Sequence, residues 1–276
     1  MNLKRLALGL ATLVPLAWVA WVALLYWLQD ALVYPIPGVP VAQLDQAAAE
    51  QGVETFHVTT DDGVRLYGWH RPSTPDHHRL VIYFPGNGET VASNRPLQQL
   101  LHQAGWGFLT IAYRGYPGSE GSPSQDGLLH DARAAWRQAR ELGYAPDRIV
   151  LHGRSLGGGV AIALAAETNP RAMVLESTFH SLIELAQRRA PLAPVRWLFR
   201  SPFESWRLAP RVGVPVLQLH SRDDEVIPVD HARRLSKRFA EVRYEEVDGH
   251  GHSDGLPTSN VRLKRAYLDF LDEAAP

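Results

Sequence analysis

The chain of 276 residues contains no cysteine and only two methionines. Without cysteine it can form no disulfide, no thiolate metal site and no thiol nucleophile. It also lacks a dominant charge: 28 basic residues face 29 acidic ones, a formal net charge of −1. No global field would therefore gather nucleic acid or another polyanion, and no nucleic-acid partner is expected. There is no internal repeat and no G-X-Y period. With 45% hydrophobic and 21% charged residues, the chain is not a disordered one. Its length suffices for one large hydrophobic core.

One absence is local. No charged side chain occurs between Arg5 and Asp30. The stretch LALGLATLVPLAWVAWVALLYWLQ covers residues 6–29. As a helix it reaches ~36 Å at ~1.5 Å per residue, enough to cross a hydrocarbon core of ~30 Å. Trp18, Trp21, Tyr26 and Trp27 crowd its second half, where amphipathic rings suit a membrane interface. No A-x-A-like site follows the apolar run, so residues 1–30 read as an uncleaved signal anchor. A cleaved signal and a helix buried in the fold are the alternatives. Lys4 and Arg5 would keep the amino end in the cytoplasm. The rest of the chain would then lie on the non-cytoplasmic side, the periplasm in a Gram-negative cell. Residues 31–52, with Pro35, Pro37 and Pro40, read as a linker with one helical turn.

From Val53 onward short apolar runs alternate with helical patterns. FHVTT and VRLYGWH flank Asp61-Asp62-Gly63 and read as a hairpin. LVIYF (80–84), FLTIAY (108–113), IVLHG (149–153), MVLE (173–176) and VLQLH (216–220) suit strands buried on both faces of a parallel sheet. Helical patterns cover 125–142, 158–168 and 261–271, and RYEEV (243–247) reads as a last strand. Such alternation implies an α/β domain over residues 53–276, a mostly parallel central sheet flanked by helices.

IVLHGRSLGGG holds GxSxG as Gly153, Arg154, Ser155, Leu156 and Gly157, between a strand and an Ala-rich helix. That context is what a nucleophile elbow requires: a turn so sharp that the flanking positions admit no Cβ. A serine hydroxyl needs an imidazole base, and the imidazole needs a carboxylate to hold its tautomer. His250 and His252 both lie in a glycine-rich loop after the last strand. Asp223, Asp224 and Glu225 stand in a row beyond VLQLH, and position alone does not choose among them. His77 and His78 lie in a polar loop that faces water, and no cluster has metal-ligand spacing.

These segments together resemble the α/β-hydrolase superfamily, and more narrowly its single-domain, membrane-tethered serine hydrolases. YFPGNGET (83–90) is similar to that branch's strand-3 motif, YRGYPGSEGSPS (113–124) to its Y-R-G-Y segment, and HSRDDEVIP (220–228) and DGHGHSD (248–254) to its acid and histidine loops. The resemblance implies a triad of Ser155, Asp224 and His252. It also implies an oxyanion hole from the backbone N–H groups of Asn87 and Leu156. Pro85 stands where the family usually has histidine, which leaves open how this loop is supported. The expected activity is that of a serine hydrolase on an ester or thioester, with peptidase or amidase activity and a non-catalytic binding module as alternatives. No cofactor or metal is expected, and the expected partners are a small acyl substrate and the membrane. Residues 178–213 form an insertion carrying Leu182, Leu185, Trp197, Phe199, Phe203 and Trp206. It reads equally as a small helical cap lining a pocket or as helices packed into the core.

Overall fold

The computed structural model describes residues 3–74 and 78–274, without the side chains of residues 3–10. The side chains of Lys4 and Arg5, and the whole of His77, thus lie outside the described residues. His78 is exposed and stacks on Tyr144 at 4.8 Å.

Eight strands form one sheet: β1 (Glu54–Thr59), β2 (Arg65–Arg71), β3 (Leu80–Phe84), β4 (Gly107–Ile111), β5 (Ile149–Arg154), β6 (Ala172–Glu176), β7 (Val216–Ser221) and β8 (Val242–Val247). Their order is β1-β2-β4-β3-β5-β6-β7-β8. The hairpin β1–β2 and the pair β2–β4 are antiparallel, and every other pair is parallel. Strands β3 to β7 are buried along their whole length, as unbroken apolar runs require.

The helices are α1 (Leu3–Val33), α2 (Val41–Gln51), α3 (Arg95–Gln103), α4 (Gln125–Glu141), α5 (Leu156–Ala165), α6 (Leu182–Arg189), α7 (Val195–Leu198), α8 (Ser205–Leu208), α9 (Val229–Ser236), α10 (Leu256–Ser259) and α11 (Val261–Ala274). Successive strand residues point to opposite faces, and the core divides accordingly. Leu80, Ile82 and Phe84 join Leu128, Ala132, Val160 and Ala161 of α4 and α5 on one face. Val81 and Tyr83 join Leu97, Leu101, Tyr267 and Leu271 of α3 and α11 on the other.

Two regions depart from the pattern reading. Residues 31–52 hold a helix of 11 residues, α2, rather than one turn, and its Leu44 and Ala48 belong to the main core. The prolines only delay the helix start, and a core contact on one face stabilises the remaining AAAEQ run. In addition, α1 does not stop at residue 30. It runs to Val33, and its last turns rest on the domain. Gln29 is buried, donating to the Leu198 carbonyl at 3.3 Å and accepting from the Arg200 amide at 2.8 Å. Tyr34 Oη donates to Ser201 Oγ at 2.8 Å. Earlier along the helix, the residues from Ala11 to Trp21 are exposed.

Candidate active site

The site residues stand beyond the carboxyl ends of β3, β5, β7 and β8, where an open α/β sheet presents its loops. Ser155 follows β5 directly and starts α5 with φ of 50° and ψ of −116°. This is a left-handed backbone that a non-glycine residue adopts only under constraint. The constraint is packing: a Cβ at Gly153 would strike the backbone of Gly157, and a Cβ at Gly157 would strike the carbonyl of Phe84. The turn is further held by the Ser155 amide donating to the Glu176 carbonyl at 2.9 Å, and by Thr178 Oγ1 donating to the Ser155 carbonyl at 2.8 Å.

Ser155 Oγ lies 3.0 Å from His252 Nε2, and His252 Nδ1 lies 2.8 Å from Asp224 Oδ2. All three residues are under 9% exposed. The other oxygen of Asp224 accepts from the amides of Val226 (2.9 Å) and Ile227 (2.7 Å), so the carboxylate cannot swing away. Burial by itself raises this carboxyl. The hydrogen bond and charge of His252, the Ile227 amide and nearby His220 outweigh it and hold the group below the ordinary aspartate range. Asp224 is thus ionised at neutral pH.

The neighbouring acids have other partners. Asp223 Oδ2 accepts from the Gly249 amide at 2.6 Å; it does not pair with Arg222, which reaches Glu246 and Asp248 instead. Glu225 Oε2 accepts from the backbone amide of His252 at 3.0 Å. His250 turns outward, its Nδ1 2.8 Å from the Asp248 carbonyl oxygen.

Asn87 and Leu156 line the same cavity as Ser155, a space of about 570 Å³. The rest of its wall is almost wholly apolar, and Arg189 is its one charged side chain among the described residues. The insertion at 178–213 divides between the two readings. Leu182, Leu185, Leu198 and Phe199 face the cavity. Phe203 is buried in the core against Phe179. Trp206 stacks on His180 away from the cavity, and Trp197 is 86% exposed.

Across the full chain, an uncharacterized protein of Mycobacterium tuberculosis is 36% identical, and the match covers 99% of its own length. A family model described as serine aminopeptidase, S33, matches residues 75–208. The alpha/beta hydrolase domain-containing protein WAV2 of Arabidopsis thaliana is 29% identical over 94% of this chain and 92% of its own. The chain belongs to the α/β-hydrolase superfamily. Among solved structures, an esterase from Pyrococcus furiosus superposes with a TM-score of 0.69 at 19% identity, covering 83% of this chain and 94% of that one. Family and fold are those of hydrolases.

A second set of residues, not singled out from the sequence, supports this site. Arg154, between Gly153 and Ser155, forms an ion pair with Glu89 and stands 3.5 Å from Glu176 through Nε. Its Nη2 donates to the His252 carbonyl at 2.8 Å. Glu89 in turn accepts from the Gly86 amide at 2.8 Å and from Asn94 Nδ2 at 3.0 Å, and so closes the loop that carries Asn87. This carboxylate, together with Tyr113 Oη donating to the Pro85 carbonyl at 3.0 Å, supports the loop that lacks the family's histidine. Glu176 accepts from the Leu256 amide at 2.9 Å and lies 3.3 Å from His152 Nε2. Burial alone would raise Glu176, but His152, Arg154 and the Leu256 amide outweigh it and lower its pKa. The sequence did carry a signal for two of these residues: Glu89 and Arg154 are charged side chains inside the glycine-bearing segments YFPGNGET and IVLHGRSLGGG.

Proposed function

We propose that the protein is a serine hydrolase that cleaves carboxylic esters or thioesters through an acyl-enzyme. The hydrogen-bonded chain Ser155–His252–Asp224 carries this reading. Ser155 Oγ attacks the carbonyl carbon while its proton passes to His252 Nε2, and Asp224 stabilises the imidazolium through Nδ1. The backbone N–H groups of Asn87 and Leu156 receive the negative charge that develops on the carbonyl oxygen. The tetrahedral species collapses, the alcohol or thiol leaves with the proton from His252, and the acyl group remains on Ser155. Water then gives a proton to His252 and attacks the acyl carbon, and Ser155 departs protonated as the free acid forms.

The cavity wall favours an acyl substrate over a peptide amino terminus. An aminopeptidase must hold an ammonium group, and the one charged residue on this wall among the described residues is the cation Arg189. Labelling with a fluorophosphonate tests the reading. The wild type should react and Ser155→Ala should not; a panel of p-nitrophenyl esters and anilides should be cleaved at the ester. A wild type that never labels is a binding module, and preference for the anilide makes it an amidase.

The same proposal places α1 in a membrane as an uncleaved anchor, with the catalytic domain on the non-cytoplasmic side. Ala11–Val33 is long and apolar enough to span, with a mean hydropathy of 1.8. The buried Gln29 supports retention of the segment, because cleavage within α1 would remove a packed wall of the domain. Lys4 and Arg5 support the orientation. Protease added to intact spheroplasts should degrade the domain, and full protection would place it in the cytoplasm.

A further inference from the structure

The cavity above Ser155 is closed on one side by α1 itself. Val22, Leu25, Gln29 and Val33 turn toward the domain at helical spacing, with Tyr26 and Leu32 beside them. A second groove runs alongside between α1 and α7, lined by Val19, Trp27 and Trp197. Val22, Tyr26, Leu198 and Phe199 line both spaces, so a mostly apolar path leads from Ser155 along α1 to residue 19; Arg200, which also lines the second groove, is paired with Asp30 at 2.7 Å. From Val33 to Val19 the helix rises about 21 Å, which is the length class of a long fatty acyl chain.

The outer end of this path carries exposed apolar groups on both elements: Trp27 at 78%, Leu192 at 74% and Trp197 at 86%. Trp18 Nε1 donates to the Leu192 carbonyl at 3.0 Å, which ties the cap to the exposed half of α1. Indole rings in such a cluster suit a membrane interface, and a patch of this kind on a soluble face would be an aggregation liability.

From this arrangement we infer that the membrane helix is itself a wall of the substrate site. The substrate would be a single-chain acyl ester drawn sideways from the bilayer. The acyl chain lies along α1, the ester carbonyl reaches Ser155, and the headgroup faces the side of Arg189, which has no ionic partner among the described residues. This rests on the hydrolase reading for the cleavage step, which consumes one water and releases a fatty acid and the headgroup alcohol.

Full-length protein in phosphatidylcholine vesicles provides the test. Leu25→Trp and Leu32→Trp fill the path from the helix side, while Leu24→Trp and Leu28→Trp alter the opposite face. The ratio of kcat/KM for p-nitrophenyl palmitate over acetate should fall at least about tenfold in the first pair and stay constant in the second. Palmitate in the protein's own vesicles should be cleaved faster than palmitate in separate vesicles. An unchanged ratio in the first pair, an equal fall in the second, or equal rates for the two deliveries would overturn the inference. If the wild type cleaves neither ester, the hydrolase reading fails by itself. The wall is then read by crosslinking palmitate with a mid-chain diazirine: capture on residues 19–33 that Leu25→Trp and Leu32→Trp abolish supports it, and capture indifferent to them overturns it.

Discussion

Arg154 Nη2 donates to the backbone carbonyl of His252 at 2.8 Å, and Glu225 accepts from the amide of that same residue. The histidine peptide is thus clamped from both sides. The element that carries Ser155 also anchors the loop that carries His252, which fixes the imidazole relative to the serine.

Loss of that guanidinium should cost both stability and rate. Arg154→Met leaves the buried Glu176 and the half-buried Glu89 without their cation, and breaking a buried pair of this kind costs about 3–5 kcal/mol. Arg154→Lys should recover part of it, and adding Glu89→Gln to Arg154→Met should recover more. Thermal unfolding measures the first effect. Fluorophosphonate labelling rates, taken below every variant's Tm, isolate the misplacement of His252.

The three consecutive acids should separate sharply in kinetics. Asp224→Asn should lower kcat by about 10⁴-fold, because the imidazole loses its orienting carboxylate. Asp223→Asn weakens one loop hydrogen bond and should cost less than about tenfold. Steady-state kinetics on the two single variants decides between them, and an inactive Asp223→Asn would assign the wrong acid here.

Gly157→Ala should prevent folding or destabilise severely, by about 4 kcal/mol or more, since the new Cβ would enter the carbonyl of Phe84. Soluble yield and denaturant midpoints measure this. By contrast, alanine at Gly213 meets nothing within 4 Å and serves as the control.

The pH dependence of stability should carry a contribution from Glu246, whose carboxyl is lowered from 4.5 to about 2, first by Arg233 and then by Arg222 and Tyr244. A depressed folded pKa means the stabilisation is fully present above about pH 4.5 and is lost as pH falls toward 2. Urea midpoints of the wild type and Glu246→Gln should therefore differ at pH 6 and converge through that window. A gap that persists unchanged at pH 2 would refute the assignment.

The aromatic residues of the insertion should behave differently from one another. Phe199→Ala enlarges the cavity and should shift the preferred acyl length in an ester panel. Trp206→Ala removes a ring stacked on His180 and flanked by Arg207 and Arg238. It should lower Tm with no change in chain preference.

Much of this architecture is local and was therefore readable in the chain. The runs LVIYF, IVLHG and VLQLH became β3, β5 and β7 because a strand buried on both faces needs no partner-specific pattern. The elbow at Ser155 was legible for a similar reason: its steric demand falls on Gly153 and Gly157, two residues away on either side. The length and apolarity of residues 6–29 likewise determine that α1 can span a bilayer. What tertiary structure decided are choices among equivalent neighbours and contacts across long separations. Only the packed loops show that Asp224, not Asp223 or Glu225, meets the His252 ring, and that His250 faces away; motif resemblance had indicated Asp224 and His252, but nothing in their local sequence did. The Glu89–Arg154–Glu176 cluster joins three separate strand ends, and α1 meets the cap across more than 160 residues, as Gln29 to Leu198 shows. Hydrophobic periodicity reports which face of an element is apolar. It carries no information on which distant surface will cover that face, and here that surface is the wall of the cavity above Ser155.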